Sequence, residues 1–135
     1  MDANEIIPEA DIFNYPDKPG LAGSVAAFAN MFRYKLLRDR GGWWVDTDIY
    51  CLRPFDFPEP FVFAAESRHP QAVHIGVIKA PIDSQVMQYL YGAAQTRGSR
   101  NLRWGETGCA LISRAKLKFP EIVRGLQTPN TFCPI

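Results

Sequence analysis

Gly41-Gly42-Trp43-Trp44-Val45-Asp46-Thr47-Asp48 joins a helical pattern to a short apolar run that ends in two carboxylates. Trp43-Trp44-Val45 is aromatic and β-branched, with glycines before it and Asp46 after it, so it reads as a buried strand rather than more helix. Its two tryptophans then point to opposite faces as packing residues. Upstream, Ser24 caps a helix in which Val25, Phe28, Ala29, Phe32 and Leu36 recur at the spacing of one buried stripe. Arg38, Asp39 and Arg40 turn toward water near its end, and Gly41 supplies a left-handed stop. Helix, glycine and strand in that order are an α/β signature.

Beyond Pro54 the chain is broken through Asp56, Pro58 and Pro60, after which Phe61–Ala65 and Val73–Ile78 offer two further strands. A second helix is expected from Ser84 to Thr96, capped by Asp83 or Ser84, with Val86, Met87, Leu90, Tyr91 and Ala94 inward. A third is expected to begin at Thr107 or Gly108, run to Phe119 and end at Pro120. Before Ser24, the prolines Pro8, Pro16 and Pro19 with Gly20 and Gly23 predict loop. No repeat or linker divides residues 1–135, so one domain is expected.

The chain has 135 residues, 47% of them hydrophobic, which suffices for one core. A formal net charge of +1 gives no field for nucleic acid or an anionic membrane, and no nucleic-acid motif is present. Met1-Asp2-Ala3-Asn4-Glu5 is not a leader, and no run is long enough to span a bilayer, so a cytoplasmic location is expected. Cys51, Cys109 and Cys133 are odd in number and widely spaced, which predicts reduced, mostly buried thiols. His69 and His74 flank Pro70 and cannot form a metal pair on one helical face, so they read as solvated or packed side chains.

Asp-x-Asp alone proves little: with eight aspartates, about 0.5 such pairs are expected by chance. Position adds to it. At the end of a strand, side chains at i and i+2 project to one side, and the carboxyl ends of parallel strands are where open α/β sheets bind ligands. Two converging carboxylates suit a hard divalent cation whose remaining ligands are phosphate oxygens and water. Asn30 and Arg33 lie one turn apart on the preceding helix and share a face. Arg33, in an apolar segment, offers a fork of donors to a phosphate, a hydroxyl or a carboxylate.

Phe28-Ala29-Asn30-Met31-Phe32-Arg33-Tyr34-Lys35-Leu36-Leu37, then Gly41 through Ile49 and Leu52-Arg53-Pro54, resembles the hallmark of the glycosyltransferase family whose sugar-binding region contains a DXD motif. That family includes capsular and lipopolysaccharide sugar transferases, initiating mannosyltransferases of the fungal Golgi and, more distantly, glucosyltransferase domains of large clostridial toxins. The resemblance is strong from Ser24 to Pro54 and thinner through Gly76-Val77-Ile78 and Glu106-Thr107-Gly108. It implies a partial GT-A-type, Rossmann-like fold, a nucleotide-sugar donor and Mn2+ or Mg2+ as cofactor. By resemblance, Asp48 holds the metal with Asp46 beside it. Asp46 also lies near the donor's ribose and sugar, while Arg33 and Asn30 meet its sugar or phosphates. Many members have aspartate where this chain has Asn30, and asparagine ahead of the small residue where it has Val73-His74-Ile75-Gly76. Glu106-Thr107-Gly108 is expected as a turn near the site, with a helix cap as its structural role.

The acceptor, whether saccharide, lipid-linked or protein, is left open by these residues. Arg97-Gly98-Ser99-Arg100-Asn101-Leu102-Arg103-Trp104 reads as a solvated loop, with an anionic or lipid-phosphate acceptor contact as its functional alternative. A phosphatase using the first aspartate as nucleophile fits poorly, because Ile49-Tyr50 stands where a small or hydroxyl residue is wanted and no acidic cluster follows. Transferases of this fold build a nucleoside-binding portion ahead of the arginine-bearing helix, and few residues precede Ser24. A domain incomplete at both ends is therefore expected, prone to self-association through uncovered apolar surface. The alternative to an active transferase is an inert fragment that at most binds metal and nucleotide sugar.

Overall fold

A computed structural model of the chain describes residues 2–15, 20, 23–66, 69 and 71–132. Pro16, Pro19 and Cys133, named in the expectations above, lie outside the described residues. The first helix, α1, spans Ala26–Arg40; its N-cap is Val25, without a side-chain cap, so Ser24 stands one residue early, where its Oγ accepts the Ala26 N–H at 3.3 Å. Gly41 stops it at φ 63°, packed so closely that a Cβ there would lie 2.6 Å from the Ile82 nitrogen. Strand β1 (Gly42–Val45) follows at once, then β2 (Val62–Ala65) and β3 (Val73–Ala80). Helices α2 (Gln85–Arg97), α3 (Cys109–Ala115), α4 (Pro120–Gly125) and α5 (Pro129–Phe132) complete a mixed helix and strand architecture.

The sheet order is β1-β3-β2, with both pairings antiparallel. This corrects two expectations: β1 is an edge of the described sheet and half-buried rather than buried, and neighbouring strands are not parallel. The cause lies in the connections. β2 returns to β3 over a few residues, as a hairpin does, and no helix stands between β1 and β2 to make a parallel crossover. The eight residues of β3 are long enough to serve both four-residue neighbours. β1 and β2 do run the same way, but β3 separates them.

Register along β3 is broken. Phe63 pairs with Ile78, yet the next residue, Ala64, pairs with His74, so Ile75, Gly76 and Val77 have no opposite number in β2. On the other side β1 stops at the Val45–Val77 pair. Ile75 and Gly76 are thus outside both ladders, and their carbonyls are free for other partners.

Tyr34 and Leu37 of α1, Phe63 of β2, Val73 and Ile78 of β3, Met87 and Leu90 of α2, and Ile112 and Ile122 form the fully buried core. The buried face of α1 is rotated from the expected stripe: Ala27, Asn30, Met31, Arg33, Tyr34 and Leu37 are buried, while Phe28, Phe32 and Leu36 are half-buried and Val25 is exposed. Phe28 and Phe32 pack sideways on Phe13 and Trp44, and the inward positions hold polar groups that find partners there. Helix α2 matches its expected face, and Ser84 Oγ caps it through the Met87 N–H at 3.3 Å.

The expected third helix is two. α3 ends at Ala115, and Pro120 opens α4 rather than closing α3, because a first-turn residue has no N–H to satisfy within the helix. Cys51 is exposed and Cys109 half-buried, so the expectation of buried thiols fails for Cys51, which sits in the proline-rich segment after the aspartates. Arg97 belongs to α2, and Leu102 is fully buried, so the basic stretch is not uniformly solvated. Among the described residues no helix is long and apolar enough to cross a membrane.

Leu37→Ala should lower unfolding stability by about 2–5 kcal/mol through the cavity it leaves. Tyr34→Phe should cost about 1 kcal/mol, since the buried hydroxyl donates to the Thr107 carbonyl at 2.9 Å. Urea denaturation with m-values checks both, and a Tyr34→Phe cost equal to that of Leu37→Ala would contradict this ranking.

Candidate functional site

Arg33 leaves α1 inward and is only 6% exposed. Its Nη1 donates to Asp46 Oδ1 at 3.0 Å and to the Ile75 carbonyl at 2.6 Å, while Nε reaches back to Ala29 O at 3.4 Å. The guanidinium carbon lies 4.8 Å from the centre of the Trp44 ring, a cation–π distance. Trp44 Nε1–H donates to the same Asp46 Oδ1 at 2.6 Å. Burial pulls Arg33 below its usual value and the Asp46 carboxylate pulls it back up, so the charge is retained against its desolvation.

Asp46 follows β1 directly, and its backbone N–H donates to the Gly76 carbonyl at 2.8 Å. The bulge in β3 supplies both carbonyls in this junction, Ile75 to Arg33 and Gly76 to Asp46. Gly76 also makes room: a Cβ there would lie 2.7 Å from His74 Cε1 and 3.3 Å from Asp46 Oδ2. The second oxygen of Asp46 and the His74 ring therefore share the space over this glycine. His74 Nδ1 accepts the Gly76 N–H at 3.1 Å, which fixes the ring.

Extended geometry does not continue through the motif. Ile49 N–H donates to Asp46 O at 3.1 Å, and Thr47 and Asp48 form an exposed turn. The strand alternation expected to project both carboxylates to one side ends at Asp46, because the chain bends there. Asp46 Oδ1 is saturated by Arg33 and Trp44, which leaves Oδ2 and the exposed Asp48 carboxylate as hard oxygen donors. Among the described residues no group of three or more His, Cys, Asp or Glu converges. The donor set nevertheless fits Mg2+ or Mn2+, which take one or two carboxylates and fill their shell with phosphate and water.

Asn30 is brought to Thr107 and Gly108 rather than to the aspartates: its Nδ2 donates to Thr107 Oγ1 at 3.3 Å, and it is 4% exposed. Gly108 lies against it, since a Cβ there would be 2.9 Å from Asn30 Nδ2 and 3.0 Å from Ile75 Cδ1. Ile75 thus touches both groups, by its carbonyl to Arg33 and by its side chain toward Gly108. Glu106 turns away. It binds Arg97 Nε at 2.7 Å and Nη2 at 2.9 Å and accepts the Arg103 N–H at 3.0 Å, so the helix-cap role expected for it is not observed. α3 starts at Gly108 without any side-chain cap.

Trp44, His74 and the Ile75 carbonyl were not among the expected site residues. A signal existed for Trp44, which stands two before Asp46 and so faces the same side of the strand. No protein-family model matches this chain, and no curated protein or solved structure matches it.

The Arg97 guanidinium holds the Glu106 carboxyl at about 2, below its ordinary 4.5. A depressed acid contributes stability above its unfolded value, and that contribution is lost as pH falls from about 4.5 toward about 2. Glu106→Gln should therefore be less stable than the parent at pH 7, with the gap closing across that window; a gap constant with pH in urea titrations would contradict the pairing. For the buried pair, Asp46→Ala strands the Arg33 charge and should cost on the order of 3 kcal/mol. A cost near zero by the same method would mean the guanidinium is solvated.

Proposed function

We propose that the chain is a metal-dependent glycosyltransferase that binds a nucleotide-sugar donor through its diphosphate at Asp46 and Asp48, on a partial GT-A-type fold. What supports this most is that Arg33 and Asp46, thirteen residues apart, meet with Asp46 Oδ1 bonded to Arg33 and Trp44, while Oδ2 accepts no hydrogen bond among the described residues and lies over Gly76 with the His74 ring. A pair serving only to staple helix to strand has no need of the exposed Asp48 next to it. The resemblance of the Ser24 to Pro54 segment to DXD transferases supports the same reading.

Each residue then has a task. Arg33 and Trp44 hold the Asp46 carboxylate in one orientation, so that Oδ2 faces the ligand side without reorganisation on binding. Asp48, in the turn, supplies the second carboxylate oxygen. Mn2+ or Mg2+, when bound by this pair, supplies positive charge to the diphosphate that departs from the donor sugar. Asn30, tied to Thr107 beside Ile75, backs the Arg33 side of the site. Buried as it is, its part in sugar recognition is smaller than its resemblance suggests.

Mn2+ titration followed by electron paramagnetic resonance, with and without a nucleoside diphosphate, tests the proposal. Binding should be weak for metal alone and tighten with the nucleotide, and Asp48→Asn should weaken it by about tenfold or more. Equal affinity in that variant, with the nucleotide present, would remove the metal role and leave Arg33 and Asp46 as a structural pair.

A further inference from the structure

A cavity of about 210 Å³ lies beside the bulge, lined by Ala64, Ala65, Glu66 and His74 together with Ile49, Val77 and Phe132. A second cavity of about 420 Å³ shares Ile49 and Phe132 as walls, and Arg53, Phe55, Phe57 and Asn130 are among its lining. The inner cavity has an unusual polar pair. Because His74 Nδ1 accepts the Gly76 N–H, the neutral ring carries its proton on Nε2 and is a donor. Glu66, just past β2, brings acceptor oxygens, and the remaining walls are apolar. One donor, one carboxylate and apolar walls in so small a volume match a single ring with hydroxyls at its edge and C–H faces. The outer cavity adds aromatic faces from Phe55 and Phe57, 6.5 Å apart between ring centres.

We propose that the two cavities form one cleft for a saccharide acceptor of at least two rings, with the terminal ring between Glu66 and His74 and the next against Phe55 and Phe57. This rests on the transferase reading, since His74 lies over Gly76 facing Asp46 Oδ2 and so sets the terminal ring's hydroxyl beside the donor site. Glu66 accepts hydrogen bonds from that ring, and His74 donates to it. The outer cavity favours an acceptor over the donor's own sugar, because a single hexose leaves it unfilled.

NMR of the chain with selectively labelled histidine, alanine and phenylalanine, titrated with glucose-, galactose- and mannose-based disaccharides in the absence of metal and nucleotide, tests this. Signals of His74, Ala64, Phe55 and Phe57 should move together for at least one disaccharide. Both His74→Leu and Glu66→Ala should weaken that binding by about tenfold or more, and His74→Gln, which keeps an N–H donor, should recover most of it. Preserved amide dispersion in the variants excludes unfolding as the cause. If no disaccharide moves these signals, with or without Mn2+ and nucleoside diphosphate, the cleft is not a saccharide site. If nucleotide sugars move all four and disaccharides none, the cavities belong to the donor and the acceptor assignment falls. Disaccharide binding in a chain that shows no nucleotide-linked Mn2+ affinity would support the cleft while removing the transferase reading.

Discussion

A guanidinium taken out of water must be met by acceptors, or the fold that buries it is lost. Arg33 is in that position, and beyond the Ala29 carbonyl of its own helix its partners are the carboxylate of Asp46, the carbonyl of Ile75 and the face of Trp44. Much of the rest follows from meeting this demand. α1 is rolled so that Arg33 and Asn30 point inward and Phe28 and Phe32 are left half-covered. β3 gives up pairing at Ile75 and Gly76, and those two carbonyls serve Arg33 and Asp46 instead of a ladder.

The same compromise explains why a polar layer sits beside a dense core. Tyr34 is adjacent to Arg33 on α1 and fully buried, and burial pushes its phenol well above the usual range, so it stays a neutral donor to Thr107. Asn30 reaches the same residue from the previous turn. Helix α1 is therefore bound at one side to the β3 bulge and at the other to the turn before α3, and Ile75 touches both groups. Hydrogen bonds fix the helix's rotation more narrowly than apolar contact would, because they tolerate little displacement.

The sequence was legible where local chemistry decides. Gly41 and Ser84 mark helix ends by a positive φ and a cap, and the structure keeps them, while Ser24 marks the start of α1 to within one residue. For Arg33 the sequence left a phosphate, a hydroxyl and a carboxylate open as partners, and the structure shows the Asp46 carboxylate. Strand order was not, since the three strands carry similar apolar patterns and only the short return after β2 dictates antiparallel neighbours. The Ile75 carbonyl was beyond reach in principle: every residue has one, and only a bulge makes this one available. Pro120 was misread because proline stops one helix and starts another with equal ease, and Glu106 because its true partner, Arg97, is nine residues away and already on α2.

Trp44 gives the junction an optical property. Its indole lies under a fixed cation and donates directly to the carboxylate whose other oxygen faces the candidate site. The excited state of an indole responds strongly to charge along its long axis, so any change in the charge balance at Asp46 is written into its emission. Trp104, largely exposed, emits like an indole in water and leaves the spectral region of a half-buried ring to Trp43 and Trp44. Trp43 packs on Phe55 and Phe57 at the other face. The two adjacent tryptophans of β1 are thus built-in fluorophores for the two sides of one sheet, one reading the carboxylate junction and the other the aromatic cleft.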